Sequence, residues 1–139
     1  MKTLFMVLLV AVAMAEGMNH SNGRDILKEL QGNNNDVYVI LFHAGEKDQA
    51  VKMKTEEYLQ ALQSVKNKYP DFTYTTIDAS DKDYDDLIDA ISLIRSELSE
   101  SPSILIMHKG NGEWIHGPQT ISKIMEFAPA YKSRMDNKK

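Results

Sequence analysis

A cluster of aspartates contains the first residues whose type and spacing could do chemistry. It lies in the segment TIDASDKDYDDLIDA and consists of Asp78, Asp81, Asp83, Asp85, Asp86 and Asp89. The spacing Asp81-x-Asp83-x-Asp85 is that of the first ligands of an EF-hand calcium loop. The sixth position, however, is Asp86 instead of glycine, and the twelfth is Ser92 instead of glutamate. The alternative to low-affinity calcium binding is a helix beginning near Asp83, whose positive N-terminal end favours carboxylates.

Histidines are the second group of chemically capable side chains, and they are His20, His43, His108 and His116. A zinc site needs three or four ligands that converge. We expect His43 to end one strand and His108 to lie at the far end of its antiparallel neighbour, so no metal site is predicted. No segment resembles the serine turn of a nucleophile elbow, so the sequence does not support a hydrolase triad.

Composition excludes several classes of function. The chain has 139 residues and no cysteine, which rules out disulfides, thiol catalysis and thiolate metal ligands. Its net charge is −4, and its basic residues form no block, so no nucleic-acid partner is predicted. No motif indicates a cofactor.

The N-terminal segment MKTLFMVLLVAVAMAEG has the form of a secretory signal peptide. Lys2 precedes an uninterrupted apolar run, and Ala13-Met14-Ala15 fits the small-x-small cleavage pattern. The run is too short for a membrane span of about 20 apolar residues. We predict cleavage after Ala15, with a retained short anchor as the alternative. The mature chain, 16–139, would enter the endoplasmic reticulum lumen or the extracellular space, and Asn19-His20-Ser21 is a glycosylation sequon.

The remaining chain alternates between helical and strand periodicity, which indicates one α/β domain. The predicted elements are helix 24–31, strand 37–42, helix 48–68, strand 72–77, helix 83–98, strand 103–108, a return strand 113–116 and a last helix from about Thr120. The segment KGNGEW predicts a tight hairpin turn, because Asn-Gly favours positive φ. Pro129 weakens the end of the last helix, and the tail KSRMDNKK is expected to fray. The aromatic residues expected to be buried or half-buried are Tyr58, Tyr69, Phe72, Tyr74 and Trp114.

This order of elements and three local motifs resemble the thioredoxin fold over residues 24 to 131. VYVILFHAG is similar to the family's central strand and the corner that leads to its active site. ESPSILIMHKGNGEW is similar to the stretch where a cis-proline opens a strand, and GPQTISKIMEFA takes the place of the last helix. The resemblance implies a mixed four-stranded sheet flanked by helices, with Pro102 as the cis-proline.

This sequence differs from the family pattern at the positions that carry out the family's redox chemistry. The alignment places Lys47 and Ala50 where the family has its two redox cysteines, and Leu41 where it often has a buried carboxylate. Disulfide exchange requires a thiolate, which neither an amine nor a methyl group supplies. The resemblance therefore implies a redox-inactive member and not an oxidoreductase.

Without the redox residues, the resemblance still implies a groove that binds an extended peptide. In the family, the residue before the cis-proline offers main-chain hydrogen bonds to such a peptide, and here that residue is Ser101. The candidate groove residues are Lys47, Asp48, Gln49, Ala50, Ser101 and Pro102. We therefore predict a non-catalytic interaction or accessory module of the secretory pathway, with a protein or extended peptide as partner. The alternatives are an acidic calcium-binding protein of the same fold and a peptide-binding chaperone of the disulfide isomerase type.

Overall fold

The computed structural model describes residues 20–32, 34–45, 48–117 and 119–137. The predicted signal peptide, Asn19 and Lys47 lie outside these residues.

The helices are α1 (Gly23–Gln31), α2 (Gln49–Lys68), α3 (Asp85–Ala90) and α4 (Thr120–Asp136), with 3₁₀ turns at Lys82–Tyr84 and Arg95–Ser99. The strands are β1 (Val37–His43), β2 (Thr73–Asp78), β3 (Ser103–His108) and β4 (Asn111–Ile115).

The four strands form one mixed sheet in the order β2-β1-β3-β4. β1 pairs with β2 in parallel and with β3 antiparallel, and β3 pairs with β4 antiparallel. The predicted α/β class, with a mixed four-stranded sheet flanked by helices, is confirmed.

β1 is an inner strand, and its side chains supply both cores. Its residues Val37 to Phe42 are all buried, which is the pattern predicted for a strand covered on both faces. Successive side chains of a strand point to opposite faces. One core joins Val37, Val39, Leu41, Ile104 and Ile106 to α2 and α4. The other joins Tyr38, Ile40, Phe42 and Leu105 to α1 and α3.

The first helix begins at Gly23, one residue before the predicted start, because Asn22 caps it. The Asn22 side-chain oxygen accepts a hydrogen bond from the Asp25 amide at 3.0 Å. The helix ends at Gln31, as predicted, and Gly32 follows it as the C-terminal cap. Between these ends, Ile26 and Leu30 are buried against the sheet.

Removing this cap should destabilise the protein measurably. We expect Asn22→Ala to lower the free energy of unfolding by about 1 kcal/mol, because the Asp25 amide loses its acceptor. Asn22→Asp is the matched control and should leave stability nearly unchanged, since aspartate caps equally well. Urea denaturation followed by circular dichroism measures both. Equal losses in the two variants would contradict this account of the cap.

The prediction of one helix over 83–98 is wrong. The helix ends at Ala90, and Ser92 adopts a left-handed conformation with φ 58°. The segment is rich in β-branched isoleucine and in serine, which are weak helix formers. The Arg95 side chain bonds to earlier parts of the chain. Its Nε donates to the Ala79 carbonyl at 3.0 Å, and a terminal nitrogen donates to the Asp85 carboxylate at 2.5 Å. The break buries Leu98 and leaves Ile94 56% exposed.

The expectation of a frayed tail is also wrong for residues 132–136, while residues 138–139 lie outside the described ranges. α4 continues through Pro129 to Asp136. Tyr131 is buried, and the Asn35 amide donates to the Met135 carbonyl at 2.6 Å. Lys132 pairs with Asp71 and Asp136 at 3.0 Å each. These tertiary contacts hold a segment whose composition is polar.

The hairpin forms as predicted, but its turn lies two residues earlier than the Asn-Gly pair suggests. Lys109 and Gly110 have φ values of 50° and 80°, and His108 pairs directly with Asn111. Two consecutive positive φ angles are typical of a type I′ turn. Gly112 therefore lies in β4, where a side chain would collide with the Ile106 carbonyl oxygen.

Candidate functional site

One end of the sheet gathers the segments that the sequence singled out. β1 and β2 are parallel, so their carboxyl ends meet there, and the corner Ala44-Gly45 follows β1 directly. β3 begins at the same end, because Phe42 pairs with Ser103. Ligands of open α/β sheets bind outside the carboxyl ends of the parallel strands. We call this region, comprising residues 43–45, 48–50, 78–80 and 101–103, the corner end.

The prediction of a cis bond at Pro102 is wrong. No peptide bond among the described residues is cis, so the Ser101–Pro102 bond is trans. The trans form is the more stable one for X-Pro bonds by about 0.5–1 kcal/mol, and here the chain runs from the 3₁₀ turn at Arg95–Ser99 into β3. Ser101 is only 6% exposed, and Pro102 is buried. Little of Ser101 is therefore accessible to a docking peptide.

The first turn of α2 forms the exposed part of the corner end. Asp48 caps the helix, and its carboxylate accepts a hydrogen bond from the Ala50 amide at 2.8 Å. Asp48, Gln49 and Ala50 are all exposed. Three of the six predicted groove residues are thus available to a partner, while Ser101 and Pro102 lie beneath the surface.

Hydrogen bonds to His43 at the end of β1, from the corner and from the residue that follows β2, fix the corner itself. Gly45 has φ 84°, and its amide donates to His43 Nδ1 at 3.1 Å. Because Nδ1 accepts this bond, the neutral imidazole carries its proton on Nε2. The His43 carbonyl in turn accepts from the Ala79 amide at 2.8 Å. A side chain at Gly45 would approach the Ser80 hydroxyl to 2.8 Å, so glycine is needed for this close packing.

A shallow cleft of about 180 Å³ opens beside the corner. It is lined by Ala44, Ala79, Ser80, Arg95 and Leu98. Small-molecule sites usually measure about 300–1,000 Å³, so the cleft fits a single side chain better than a cofactor. The sequence does not indicate this cleft, because four of its residues follow β2 or the helix break and only Ala44 belongs to the predicted corner.

A serine, a histidine and a glutamate also meet at this end. Ser103 Oγ lies 2.6 Å from His116 Nδ1, and His116 Nε2 lies 3.7 Å from the Glu97 carboxylate. Ser103 is fully buried, however, so a substrate cannot reach its hydroxyl. The serine also contacts Nδ1, whereas the catalytic serine of the hydrolase triad contacts Nε2. The contacts link β3, the end of β4 and the 3₁₀ turn.

The aspartates of 78–89 mostly make local contacts. Asp78 accepts from Ser80, and Asp81 caps the 3₁₀ turn by accepting from the Asp83 amide. Asp85 pairs with Arg95 and Asp86 with Arg24. Within the described ranges, no three histidine or acidic side chains are grouped as a metal site would require. The structure favours the interpretation of these residues as caps and ion pairs.

Two further histidines, half-buried His20 and buried His108, lie away from the corner end. His20 contacts the Tyr84 hydroxyl at 2.9 Å and Thr75 Oγ1 at 2.8 Å through its two ring nitrogens. His108 Nε2 contacts the Asn35 side-chain oxygen at 2.9 Å. β1 pairs Val37 with His108, so His43 and His108 lie at opposite ends of the sheet, as predicted. Burial lowers the pKa of both His20 and His108.

These pKa shifts predict that acid weakens the fold. The unfolded state takes up protons near pKa 6.5, while folded His20 and His108 do so only at lower pH. Their stabilising contribution is therefore complete above about pH 6.5 and is lost as the pH falls from there towards the folded-state pKa values. We expect a lower urea midpoint at about pH 5.5 than at about pH 7.5. A double variant, His20→Gln with His108→Gln, should show a smaller difference, and an unchanged difference would contradict the assignment.

Of the five aromatic residues that the sequence singled out, four are buried and Trp114 is partly exposed. Tyr58, Tyr69, Phe72 and Tyr74 are buried in the core beneath α2 and α4. Trp114 is 37% exposed, and its ring packs at 5.4 Å between centroids against Phe42. The single tryptophan of the chain thus lies at the surface of β4.

Among the described residues, no helix combines the length and apolar character that crossing a membrane requires. Comparison with known proteins finds no matching family model and no significantly similar curated protein.

Proposed function

We propose that this chain is a redox-inactive, thioredoxin-like interaction module that binds a protein partner at the corner end. The observation that carries the proposal is the cleft beside the corner Ala44-Gly45. It presents apolar walls at Ala44, Ala79 and Leu98 and polar groups at Ser80 and Arg95. Such a surface fits a partner's side chain.

The fold assignment within this proposal is supported by topology. VYVILFHAG forms β1, an inner strand of the sheet, and its corner leads into α2. The segment after Pro102 forms β3, antiparallel to β1, and GPQTISKIMEFA leads into α4. These are the placements that the resemblance implies. The trans bond at Pro102 departs from it, so the proposed binding surface depends on the cleft and α2 instead of on Ser101.

The proposal of binding without redox chemistry follows from the residues at the corner end. The chain has no cysteine, so disulfide exchange has no nucleophile there. Ser103 lies beside His116 but is fully buried. What remains accessible are hydrogen-bonding and apolar groups.

We place the module in the secretory pathway, in the endoplasmic reticulum lumen or outside the cell. The support is the signal-like N-terminal sequence and the sequon at Asn19. N-terminal sequencing of the protein recovered from cells should find Glu16 as the first residue. Mobility before and after glycosidase treatment would test whether Asn19 carries a glycan. A first residue of Met1 would contradict the proposed cleavage.

Affinity purification with a matched variant tests the binding surface. The variant Ala50→Lys with Ser80→Phe adds charge and bulk at two exposed positions of the corner end, of which Ser80 lines the cleft. The control, Ala130→Lys, changes an exposed residue on α4. We expect the wild type and the control to retain the same partner from secretory-pathway extracts, and the cleft variant to lose it. Equal recovery with all three would place binding elsewhere.

A further inference from the structure

The outer edge of β4 is an open strand edge. Within the described ranges, β4 is the last strand of the sheet and pairs only with β3. The two-residue turn makes His108 and Asn111 a hydrogen-bonded pair, and such pairs alternate along an antiparallel ladder. Glu113 and Ile115 therefore bond to β3, while the amides and carbonyls of Gly112 and Trp114 face outwards.

β4 lacks the features that usually protect an edge. Natural edge strands carry lysines, prolines, bulges or outward charges that block pairing with another chain. The sequence of β4, Asn111–Ile115, contains neither lysine nor proline, and its pairing with β3 is continuous. Its one charged side chain, Glu113, accepts a hydrogen bond from the Tyr131 hydroxyl on α4. The edge is thus chemically ready to accept a further strand.

The surroundings of the edge define the occupant. Trp114 presents a partly exposed apolar ring on one face. The Glu97 carboxylate lies near the carboxyl end of β4, 3.7 Å from His116 Nε2, and Glu113 lies on the opposite face. Together with the net charge of −4, these carboxylates favour a basic partner segment.

A second copy of the chain fits the edge poorly. Two copies would each carry a net charge of −4 and repel one another. Five residues at ~3.3 Å each give an edge about 16 Å long and about 10 Å thick. A stable dimer requires about 800 Å² of buried surface on each partner, far more than this strip.

We propose that the outer edge of β4 accepts an extended segment of a partner protein as a fifth strand, with basic residues alternating with apolar ones. The segment's backbone would bond to the amides and carbonyls of Gly112 and Trp114, as in strand addition generally. Its apolar side chains cover Trp114, and its basic side chains lie on the opposite face, near Glu113. The inference deepens the proposed function, because it adds a second contact surface and a partner chemistry to the interaction module.

The only tryptophan of the chain makes the edge directly observable. The probe is the synthetic peptide Lys-Val-Lys-Val-Lys-Val-Lys, added to the full chain while Trp114 fluorescence is recorded. We expect a saturable blue shift, because the peptide covers a partly exposed indole. The matched peptide with glutamate in place of lysine should give at least a tenfold weaker response. A lysine peptide N-methylated on the residues that face β4 should give none, because it cannot pair.

Amide hydrogen exchange gives the decisive outcome. We expect the Gly112 and Trp114 amides to exchange quickly in the free chain and at least tenfold more slowly with saturating peptide, while Glu113 and Ile115 change little. Trp114→Lys should weaken peptide binding at least tenfold, and Trp114→Phe should preserve the protection. Unchanged exchange at Gly112 and Trp114 would overturn the proposal. Slow exchange of these two amides in the free chain would also overturn the proposal. If that protection depended on protein concentration, a second copy would cover the edge; if it did not, another segment of this chain would cover it.

Failure of this inference is distinguishable from failure of the proposed function. The variant Ala50→Lys with Ser80→Phe leaves β4 unaltered, so it should bind the lysine peptide like the wild type. Retained partner recovery together with unprotected edge amides would reject the edge alone. If the peptide protected the Gly112 and Trp114 amides but the cleft variant recovered as much partner as the wild type, only the proposed binding at the corner end would be rejected.

Discussion

Gly112→Ala is expected to lower the free energy of unfolding by about 3 kcal/mol, because overpacking against fixed backbone is strongly destabilising. A methyl group at Gly112 would collide with the Ile106 carbonyl oxygen and lie 3.0 Å from the Met107 Cα. These neighbours are main-chain atoms of β3, which cannot move aside without breaking the hairpin register. Chemical denaturation followed by circular dichroism measures the loss.

Gly110→Ala is the matched control in the same hairpin. Gly110 has φ 80°, but the space around its Cα is open. An alanine there should lose only about 1 kcal/mol, through left-handed backbone strain. If the two variants were equally stable, close packing at Gly112 would not explain the need for glycine in β4.

Phe42→Ala is expected to lower the free energy of unfolding by about 3–5 kcal/mol, since truncating a buried aromatic ring leaves a cavity. Phe42 is fully buried, ends the buried run of β1, and supports the Trp114 ring at 5.4 Å. The variant should therefore also shift Trp114 fluorescence to longer wavelength, because the indole loses its neighbour and gains water.

Phe42→Leu is the corresponding control, because it keeps most of the volume and the apolar character of the site. It should lose about 1.5 kcal/mol or less and retain most of the native fluorescence. A fluorescence maximum that is the same in all three proteins would contradict the contact between Phe42 and Trp114. A small loss for Phe42→Ala would contradict the role of this ring in the core.

The sequence predicts those elements in which local pattern and burial agree. β1 is a continuous apolar run because both of its faces are covered, and α2 keeps helical spacing at Tyr58, Leu62 and Val65. Both patterns follow from the environment of a single element, so a single sequence is sufficient to recognise them.

The errors arise where tertiary contacts decide the local structure. An apolar stripe continues past Ala90, but Arg95 bonds back to Ala79 and Asp85, and the helix ends. The tail is polar in composition, yet Tyr131 and the Asn35 contact to Met135 keep it helical. The turn lies at Lys109-Gly110 and not at Asn-Gly, because Gly112 is needed beside Ile106.

In the candidate site, too, local sequence pattern indicates some residues, and tertiary contacts decide the placement of the others. The corner at Ala44-Gly45 and the exposed residues Asp48 to Ala50 were identified because they follow a recognisable strand. Ser80 follows β2, and Arg95 and Leu98 reach the cleft only through the helix break, which no periodic signal indicates. The role assigned to Ser101 depended on a cis bond that is absent among the described residues.

Site-specific photo-crosslinking tests the central claim, a partner bound at the corner end, most directly. Benzoylphenylalanine replaces Gln49 in the full chain expressed in secretory cells, with a second protein carrying it at Ala130 on α4 as the control. Both positions are exposed, so neither substitution should disturb the fold. We predict a discrete protein adduct from position 49 and none from position 130. No adduct from position 49, or equal adducts from both positions, would contradict the account.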